Sequence, residues 1–543
     1  MGSLTSLDWF FIGLYFLLTF GAAFWATSPE RSTRQTSAGY FLAGRNMGWF
    51  VIGASIFASN IGSEHLVGLA GTGAASGVAV GHFEILAAPI LLLLGWVFVP
   101  FYLRSGVVTM PEFLERRYSA SARWYLAIIS IVGYVLTKIS VTIAAGGIVF
   151  ESLMGIDFWT GALVVVIATG IYTVLGGLRA VLYTDLLQMF VLIGGAMTVT
   201  IVGLAELGGW AVLYETAGSS FFNMWKPVSD PNFPWTGILL GAPILGVWYW
   251  CTDQFIVQRV LSAHDERQAR RGTIFAGFLK LLPLFIFVIP GVIAHALAQT
   301  GRLELTEPDR ALPTLVGALL PTGLRGLAVA GLLAALMSSL SSVFNSCATL
   351  ITWDVYKKLH PQASEKQLVW VGQSSTAVLV GLGLLWIPMM KYISGQLYQY
   401  LQSVQAYIAP PIAAVFLIGI ISKRVNARGA IASLATGFAL GMGRLVAELN
   451  KDALGGWLYA YADMNFLHFA VFLFVACSAI LVLASLSRPS ASDRQLAGLT
   501  FATAEAPDAT RREAEVSGEK RTDWALSLFL VALVGMIWFY FTG

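Results

Sequence analysis

Long apolar segments separated by short polar loops extend along almost the whole chain. A helix of about 20 apolar residues crosses the hydrocarbon core of a bilayer, so segments of this length predict about fourteen membrane-spanning helices. Their approximate ranges are 8–27, 48–75, 80–103, 122–149, 158–176, 180–206, 235–257, 273–299, 315–352, 368–390, 397–421, 428–447, 464–487 and 523–541. The run 315–352 is too long for one span, and its early residues, LPTGLRG, predict an external lead-in. The pattern indicates an all-α polytopic membrane protein.

The composition indicates the same class. Hydrophobic residues make up 57% of the chain and charged residues only 12%, about half of the roughly 25% that is usual in soluble domains. The net charge of +3 is too small to indicate nucleic-acid binding, and we predict none. The three cysteines show neither a disulfide framework nor metal-ligand spacing. No Lys or Arg precedes the first apolar segment, which we interpret as a retained helix rather than a cleaved signal peptide.

The distribution of Lys and Arg predicts the orientation of the chain. With the N-terminus outside, most of the 33 Lys and Arg residues fall in inner loops, as the positive-inside rule requires. Asp253 and Arg259 then mark a cytoplasmic boundary, and residues 488–522, rich in Ala, Ser, Glu and Arg, predict a mobile cytoplasmic linker. An even number of spans places both termini outside a plasma membrane, in an extracellular or periplasmic position.

The function is expected to reside among the helices. No loop is long enough for a folded soluble domain, and the sequence contains no nucleotide-binding loop, catalytic triad or metal-ligand cluster, so we predict no enzymatic activity. Polar side chains at membrane depth are costly, and they usually face a cavity, a partner or a transport path. The clusters of such residues therefore locate the candidate site.

The stretch FASNIGSEHLVG, residues 57–68, places polar residues in the middle of an apolar segment rich in glycine. Such a segment predicts a broken helix, whose free carbonyl oxygens are ligands for alkali cations. Close helix packing through small residues is the alternative explanation of the glycines. Asn60, Glu64 and His65 favour the ion site, because packing requires no ionisable group.

Two further segments carry polar side chains that suit a hydroxylated solute. Glu84 requires a partner in the membrane, and Lys280 is the predicted one. Together they accept from and donate to hydroxyls, although a purely structural ion pair is the alternative. Gln402 and Gln405 lie one turn apart on one helix face, where they either bond a polar solute or bridge helices.

Residues 241–259, GAPILGVWYWCTDQFIVQR, predict a second interrupted helix. Gly241, Pro243 and Gly246 are the predicted interruption. The aromatic residues that follow can stack on a sugar ring or gate a cavity, whereas an interfacial aromatic belt is the alternative. These aromatic residues are Trp248, Tyr249 and Trp250.

The stretch LLAALMSSLSSVFNS, residues 332–346, places neutral hydroxyls on one helix face. Ser338 shares a face with Ser341 and Ser342, and such hydroxyls suit a cation that must bind and leave. Bonding of each serine to the preceding turn is the alternative. The serine cluster favours a metal ion over a proton as coupling ion, although Glu84 and Asp185 can titrate.

The two interrupted helices stand five spans apart, as in transporters built from inverted repeats. The predicted units are a first helix and cytoplasmic loop at 1–47, a first five-helix repeat at 48–206, an external loop at 207–234, a second repeat at 235–421, two accessory helices at 422–487, a cytoplasmic linker at 488–522 and a last helix at 523–543.

Several motifs make the chain similar to the sodium/glucose cotransporters of the solute:sodium symporter family. These motifs are YFLAGRNMGWFVIGASIFASNIGSEHLVGLAGTGAASG, GVVTMPEFLERRY, IYTVLGGLRAVLYTDLLQ, WYWCTDQFIVQRVLSA, LMSSLSSVFNS and APPIAAVFL. The resemblance covers nearly the whole chain and is strongest to the sugar and polyol carriers. It implies a LeuT-like core of five plus five helices that transports sodium together with its solute.

The resemblance also implies roles for individual residues. Sodium would bind backbone oxygens of Ala58, Ile61 and Ala335 and the hydroxyls of Ser338 and Ser339. A second sodium, as in members that move two ions, would use Asp185 and Ser341. The sugar would bind Asn60, His65, Glu84, Trp250, Lys280, Gln402 and Gln405, with Tyr249 as the gate towards the cytoplasm.

Three departures from the family pattern bear on the cargo, one of which is Gln399 in place of an acidic residue common in relatives. Gln405 and Gly246 stand where many sugar carriers have a hydroxyl residue, so the identity of the sugar stays open. The predicted function is inward sodium-coupled uptake of a hexose such as glucose or galactose by alternating access. The alternatives are a myo-inositol or polyol symporter and a sugar-gated sensor that transports no sugar. The predicted partners are the solute, sodium and the lipid bilayer, with no obligatory protein partner.

Overall fold

A computed structural model describes residues 4–27, 36–390, 397–503 and 519–543. Within these ranges the regular structure is helical, and β-structure is limited to three isolated bridges. Eleven of the described helices are long and apolar enough to cross a membrane. The prediction of an all-α polytopic protein is confirmed, while the number fourteen depends on how interrupted helices are divided.

The first half of the chain contains one helix broken in mid-membrane. Its halves, Trp49–Asn60 and Ser63–Ser76, are together called the first broken helix. The other long helices are Ser6–Thr27, His82–Leu93 with its continuation to Ser105, Ala120–Met154 and Phe158–Leu207. Gly177, at φ 58°, kinks the last of these between the predicted spans 158–176 and 180–206. Glycine adopts this left-handed conformation without the steric cost that other residues meet.

The second half repeats the arrangement. Its second broken helix comprises Ala242–Gly246, the π-turn Val247–Thr252 and the segment Gln254–Leu261. Leu324–Leu350, which continues to Leu359, carries the serine cluster and is called the serine helix. The other long helices are Glu266–Gln299, Glu365–Met390, Leu397–Ile421, Ala427–Leu449, Phe466–Ser485 and Glu519–Tyr540. The predicted lead-in is present, because residues 320–323 separate the short helix Ala311–Leu319 from the serine helix.

The second broken helix departs furthest from helical geometry at Asp253, which was not among the residues predicted to interrupt it. Asp253 is extended, at φ −80° and ψ 129°, whereas Gly241 and Gly246 keep helical backbone angles. Pro243 lies in the first turn of its helix, where its missing N–H removes no hydrogen bond. Gly241 separates the short helices Trp235–Leu240 and Ala242–Gly246, so the predicted interruption is present at this residue, whereas Pro243 and Gly246 lie within helical backbone.

The predicted linker 488–522 is partly packed rather than mobile. Phe501 N–H donates to the Ile420 carbonyl (3.0 Å), and the Phe501 ring lies 5.0 Å from the Phe101 ring. Leu496 and Thr500 are fully buried. The buried side chains are Leu496, Leu499 and Thr500, and such a short group gives no helical or strand period in the sequence. Residues 504–518 of the linker lie outside the described residues.

Both described ends of the chain contact loops that were predicted to lie outside. Asp8 accepts hydrogen bonds from the N–H groups of Gly323 (2.8 Å) and Gly326 (2.9 Å). At the other end, Met224 N–H donates to the Phe541 carbonyl (3.0 Å). The two ends therefore meet loops of the same predicted side.

Candidate functional site

The first broken helix is interrupted at two residues. Asn60 ends its first half, Ile61 (φ −83°, ψ 92°) and Gly62 (φ −92°, ψ 176°) are extended, and Ser63 begins the second half. A Cβ atom on Gly62 would overlap the Glu64 carboxylate, which folds back over the break. Glycine leaves room for this carboxylate, and the break frees backbone oxygens in the protein interior as predicted.

The serine helix contacts these backbone oxygens directly. Ser338 Oγ donates to the carbonyls of Ala58 (2.8 Å) and Ala335 (3.0 Å). Ser339 Oγ donates to the next carbonyl, that of Ser59 (2.9 Å). All five residues are buried. Neutral hydroxyl and carbonyl oxygens thus converge where the two helices meet.

This oxygen cluster has the chemistry of a sodium site. Hard cations bind carbonyl and hydroxyl oxygens, and a bound cation would replace the hydroxyl protons as partner of the carbonyls. Hydrogen bonds join three of the five predicted residues, namely Ala58, Ala335 and Ser338. The fourth, Ser339, donates to the carbonyl of Ser59, the residue after Ala58. Ile61 lies at the break itself. The sodium roles stay predictions.

A cavity of about 50 Å³, called the main cavity, lies beside this cluster. Seven of the eight predicted sugar-binding residues line it, together with a lysine for which the sequence predicted no role, Lys138. The polar and aromatic lining comprises Asn60, His65, Phe83, Glu84, Lys138, Tyr249, Trp250, Gln402 and Gln405. Lys138 lies within the predicted span 122–149, and a lysine inside an apolar segment is the signal that could have identified it.

The eighth residue, Lys280, lies behind the lining of the main cavity. Its ammonium contacts the Glu84 carboxylate at close range and donates to Asn60 Oδ1 (2.6 Å). It also lies 5.3 Å from the centre of the Trp250 ring. The predicted Glu84–Lys280 pair is confirmed. It holds Asn60 and Glu84 in place beneath the cavity surface.

Tyr249 closes one end of the main cavity. Its hydroxyl accepts hydrogen bonds from Asn60 Nδ2 (3.0 Å) and Lys138 Nζ (3.1 Å). Its ring packs edge-on against Trp250, with the ring centres 4.9 Å apart. Tyr249 is thus connected to the first broken helix and to helix Ala120–Met154, as expected of a side chain whose movement would open the cavity.

His65 reaches the main cavity from the second half of the first broken helix. Its Nδ1 lies 3.5 Å from Glu64 Oε1, and Glu64 Oε2 accepts a hydrogen bond from Thr142 (2.9 Å). Glu64 therefore contacts a cavity residue without lining the cavity. It supports the position of the imidazole.

Asp185 is joined to an arginine rather than to Ser341. Its Oδ2 accepts from the hydroxyls of Ser55 (2.5 Å) and Ser59 (2.8 Å), and Arg259 Nη2 lies 3.7 Å away. Ser341 donates instead to the Ser338 carbonyl (3.0 Å). Among the described residues, no hydrogen bond connects Asp185 with Ser341. The second sodium site stays a prediction.

Arg259 and Asp253 do not lie at an exposed cytoplasmic boundary. Arg259 is fully buried and donates to Ser55, Ser59 and Ser342. Asp253 is buried at the break of the second broken helix. Hydroxyl and carboxylate partners inside the bundle satisfy the arginine, and the nearness of the cytoplasmic boundary stays a prediction.

Sequence comparisons identify close relatives over most of the chain. The sequence is 40% identical to Sodium/glucose cotransporter 1 of Oryctolagus cuniculus over 519 residues, 88% of this chain and 78% of the relative. It is 39% identical to the Sodium/myo-inositol cotransporter of Homo sapiens over 540 residues, 90% of this chain and 74% of the relative.

The fold matches solved structures of two cation symporters. A Na+-coupled sialic acid symporter in a substrate-bound outward-open state superposes with a TM-score of 0.77 at 21% identity, covering 90% of this chain and 99% of that chain. The nucleobase-cation-symport-1 family transporter MHP1 superposes with a TM-score of 0.52 at 13% identity, covering 84% and 97%. These likenesses show the fold, which is of the LeuT type.

The family itself follows from a match over most of the sequence. The profile of the Sodium:solute symporter family matches residues 40–437, which include both broken helices and the serine helix. This chain belongs to the sodium:solute symporter family.

Proposed function

We propose that this protein moves a sugar into the cell together with sodium by alternating access. One observation carries the proposal. Residues of a single break serve both ligands, because the Ala58 carbonyl meets the serine helix while Asn60, two residues on, lines the main cavity. A cation that orders this break would also order the solute site, which is a direct means of coupling.

The expected cycle begins with outside sodium. Sodium would stabilise the break and the outward-open bundle, sugar would enter the main cavity, and closure would follow. Release of sodium to the cytoplasm would then loosen the break and free Tyr249. A tenfold sodium gradient contributes about 1.4 kcal/mol, and 100 mV contributes about 2.3 kcal/mol per charge. Together they support accumulation on the order of several hundredfold for one ion.

A neutral polyhydroxylated solute fits the lining of the main cavity. Glu84 accepts from hydroxyls, His65 and Gln402 offer both donors and acceptors, and Trp250 offers a flat apolar face. A hexose and a cyclic polyol share these features, and the relatives include a glucose and a myo-inositol cotransporter. The first candidate is a hexose such as glucose or galactose, and the second is myo-inositol.

A second coupled sodium is an additional proposal. Asp185 is buried and carries one carboxylate oxygen, Oδ1, that makes no hydrogen bond among the described residues. Together with Ser341 it would bind the second ion. Asp185→Asn should lower the measured sodium-to-sugar ratio, and an unchanged ratio would overturn this proposal.

The proposed location is the plasma membrane, with both termini on the outside. The excess of Lys and Arg in the predicted inner loops supports this orientation. The contacts of both chain ends with predicted outer loops agree with it. We propose no catalytic activity and no obligatory protein partner.

The test is uptake of labelled solutes by the purified protein in proteoliposomes. Glucose, galactose and myo-inositol are offered with an inward sodium gradient, with potassium in its place, and with Ser338→Ala as a matched variant. We expect sodium-dependent accumulation of at least one solute above equilibrium. A sugar-evoked sodium current without accumulation would establish the sensor alternative instead and overturn the transport proposal.

A further inference from the structure

A second cavity lies between helix Ala120–Met154, the second broken helix and helix Leu397–Ile421, and it reaches Asp253 near the predicted inner end of the broken helix. This small cavity has a volume of about 20 Å³. Its polar lining comprises Ser130, Tyr134, Thr137, Lys138, Asp253 and Gln405. Lys138 and Gln405 line both cavities, so the small cavity directly adjoins the main cavity.

Asp253 presents an unsatisfied carboxylate oxygen at the small cavity. Its Oδ1 accepts from Tyr134 Oη and from Phe255 N–H (3.1 Å). Its Oδ2 is buried and makes no hydrogen bond within the described part of the chain. Leaving a buried charged acceptor without a partner is costly, so such an atom beside a polar cavity points to a ligand that supplies donors.

Lys138 places an ammonium group on the same cavity. It is buried, it donates to the Tyr249 hydroxyl (3.1 Å), and no ion pair joins it to a carboxylate among residues 4–27, 36–390, 397–503 and 519–543. The small cavity thus repeats the chemistry of the main cavity. Both combine a carboxylate with Lys138 and Gln405, the carboxylate being Glu84 in the main cavity and Asp253 in the small cavity.

We propose that the small cavity is the closed form of a second binding subsite for the transported sugar or polyol. The solute would occupy it after the Tyr249 side chain moves aside and before release to the cytoplasm. Asp253 would accept from the solute hydroxyls, and Lys138 and Gln405 would donate to them. The present volume accommodates a water molecule but not a hexose, so the subsite forms only when Tyr249 and its neighbours part. This inference rests on the proposed function.

The first test compares the two faces of the protein. Asp253→Asn removes the charge but keeps a side chain that can cap helix Gln254–Leu261. Half-saturating sugar concentrations are measured in right-side-out and inside-out vesicles. A lost hydrogen bond to a charged group predicts about a tenfold increase at the cytoplasmic face and less than about a twofold change at the outer face.

The second test fills the small cavity. A Cβ atom on Gly133, which lines it, would meet only Ile408 Cδ1 at 3.7 Å, so Gly133→Leu extends into the cavity with little clash. We expect slower sugar release and weaker cytoplasmic binding, with outer binding retained. Gly194→Leu is the matched control, because a Cβ atom there meets nothing within 4 Å.

Each outcome decides the inference. A loss of sugar affinity at the cytoplasmic face alone, in both variants, supports the subsite. Equal changes of sugar affinity at both faces, or no change in either variant, would overturn the subsite. Sodium-driven accumulation by the wild type would still uphold the proposed function in that case. A wild-type protein that binds no sugar at either face would overturn both.

Discussion

Both broken helices are interrupted inside the bundle, but the groups present at the two breaks differ in charge. The first breaks at Ile61 and Gly62 and presents neutral carbonyl oxygens to the hydroxyls of the serine helix. The second breaks at Asp253, whose carboxylate caps the helix that follows. A neutral break suits an ion that must leave again, whereas a charged break holds fixed partners.

Arg259 connects these two breaks. It follows the second break by six residues, and its guanidinium donates to Ser55 and Ser59 just before the first break. The Asp185 carboxylate accepts hydrogen bonds from the same two hydroxyls. The helices that must move in alternating access are therefore joined through buried charges next to the proposed sodium site.

The largest effect, a loss of thermal stability, is expected when Arg259 is replaced. Arg259→Met leaves Asp185 buried without its cation, and breaking a buried pair from one side costs about 3–5 kcal/mol. We expect a large loss of thermal stability, measured by unfolding of the purified protein in detergent. The double variant Arg259→Met with Asp185→Asn should recover most of this stability. No recovery would contradict the pairing.

The next effect concerns the neutral break. Ser338→Ala with Ser339→Ala removes two hydroxyls from the proposed sodium site, and each hydrogen-bonding group contributes about 1 kcal/mol or more. The half-saturating sodium concentration should rise by about 30-fold or more. Ser346→Ala is the control, since this serine lies on the same helix and bonds Gln258 instead. An unchanged half-saturating sodium concentration would show that these hydroxyls do not bind the ion.

A smaller effect tests the geometry of the first break. Gly62→Ala places a methyl group on the Glu64 carboxylate, which must then move away. Such crowding costs about 1–3 kcal/mol, and both stability and sodium affinity should fall. Adding Glu64→Ala removes the clash, so the double variant should be closer to wild type than Gly62→Ala alone. An additive loss would show that the carboxylate is not the obstacle.

The smallest effect is expected at the gate. Tyr249→Phe keeps the ring and removes the acceptor for Asn60 and Lys138, a change of about 1–3 kcal/mol. Sugar affinity at the outer face should fall modestly, and sodium-independent leak of sugar should increase. Both are measured by tracer flux with and without sodium. If the leak of sugar is unaltered, the Tyr249 hydroxyl takes no part in gating.

Much of the site could be predicted because charged residues in apolar segments stand out. Glu84, Lys280 and the serine cluster were visible as costly exceptions, and a lysine opposite a glutamate has few other partners in a bilayer. Lys138 was equally visible but received no role, because its neighbours in space come from helices distant in sequence. The break at Asp253 was missed, and Pro243 lies within helical backbone because proline is tolerated in the first turn of a helix.

The sequence by itself determined the class, the family, the approximate spans and most of the residues of the main cavity. Apolar length and intramembrane polarity are local properties, so they can be read along the chain. Tertiary structure decided that Asp185 pairs with Arg259 rather than bonding Ser341, that residues 488–503 pack against helix ends, and that a second polar cavity adjoins Tyr249. These features depend on which buried groups meet across the bundle, and the cost of an unpaired buried group is settled only by that three-dimensional arrangement.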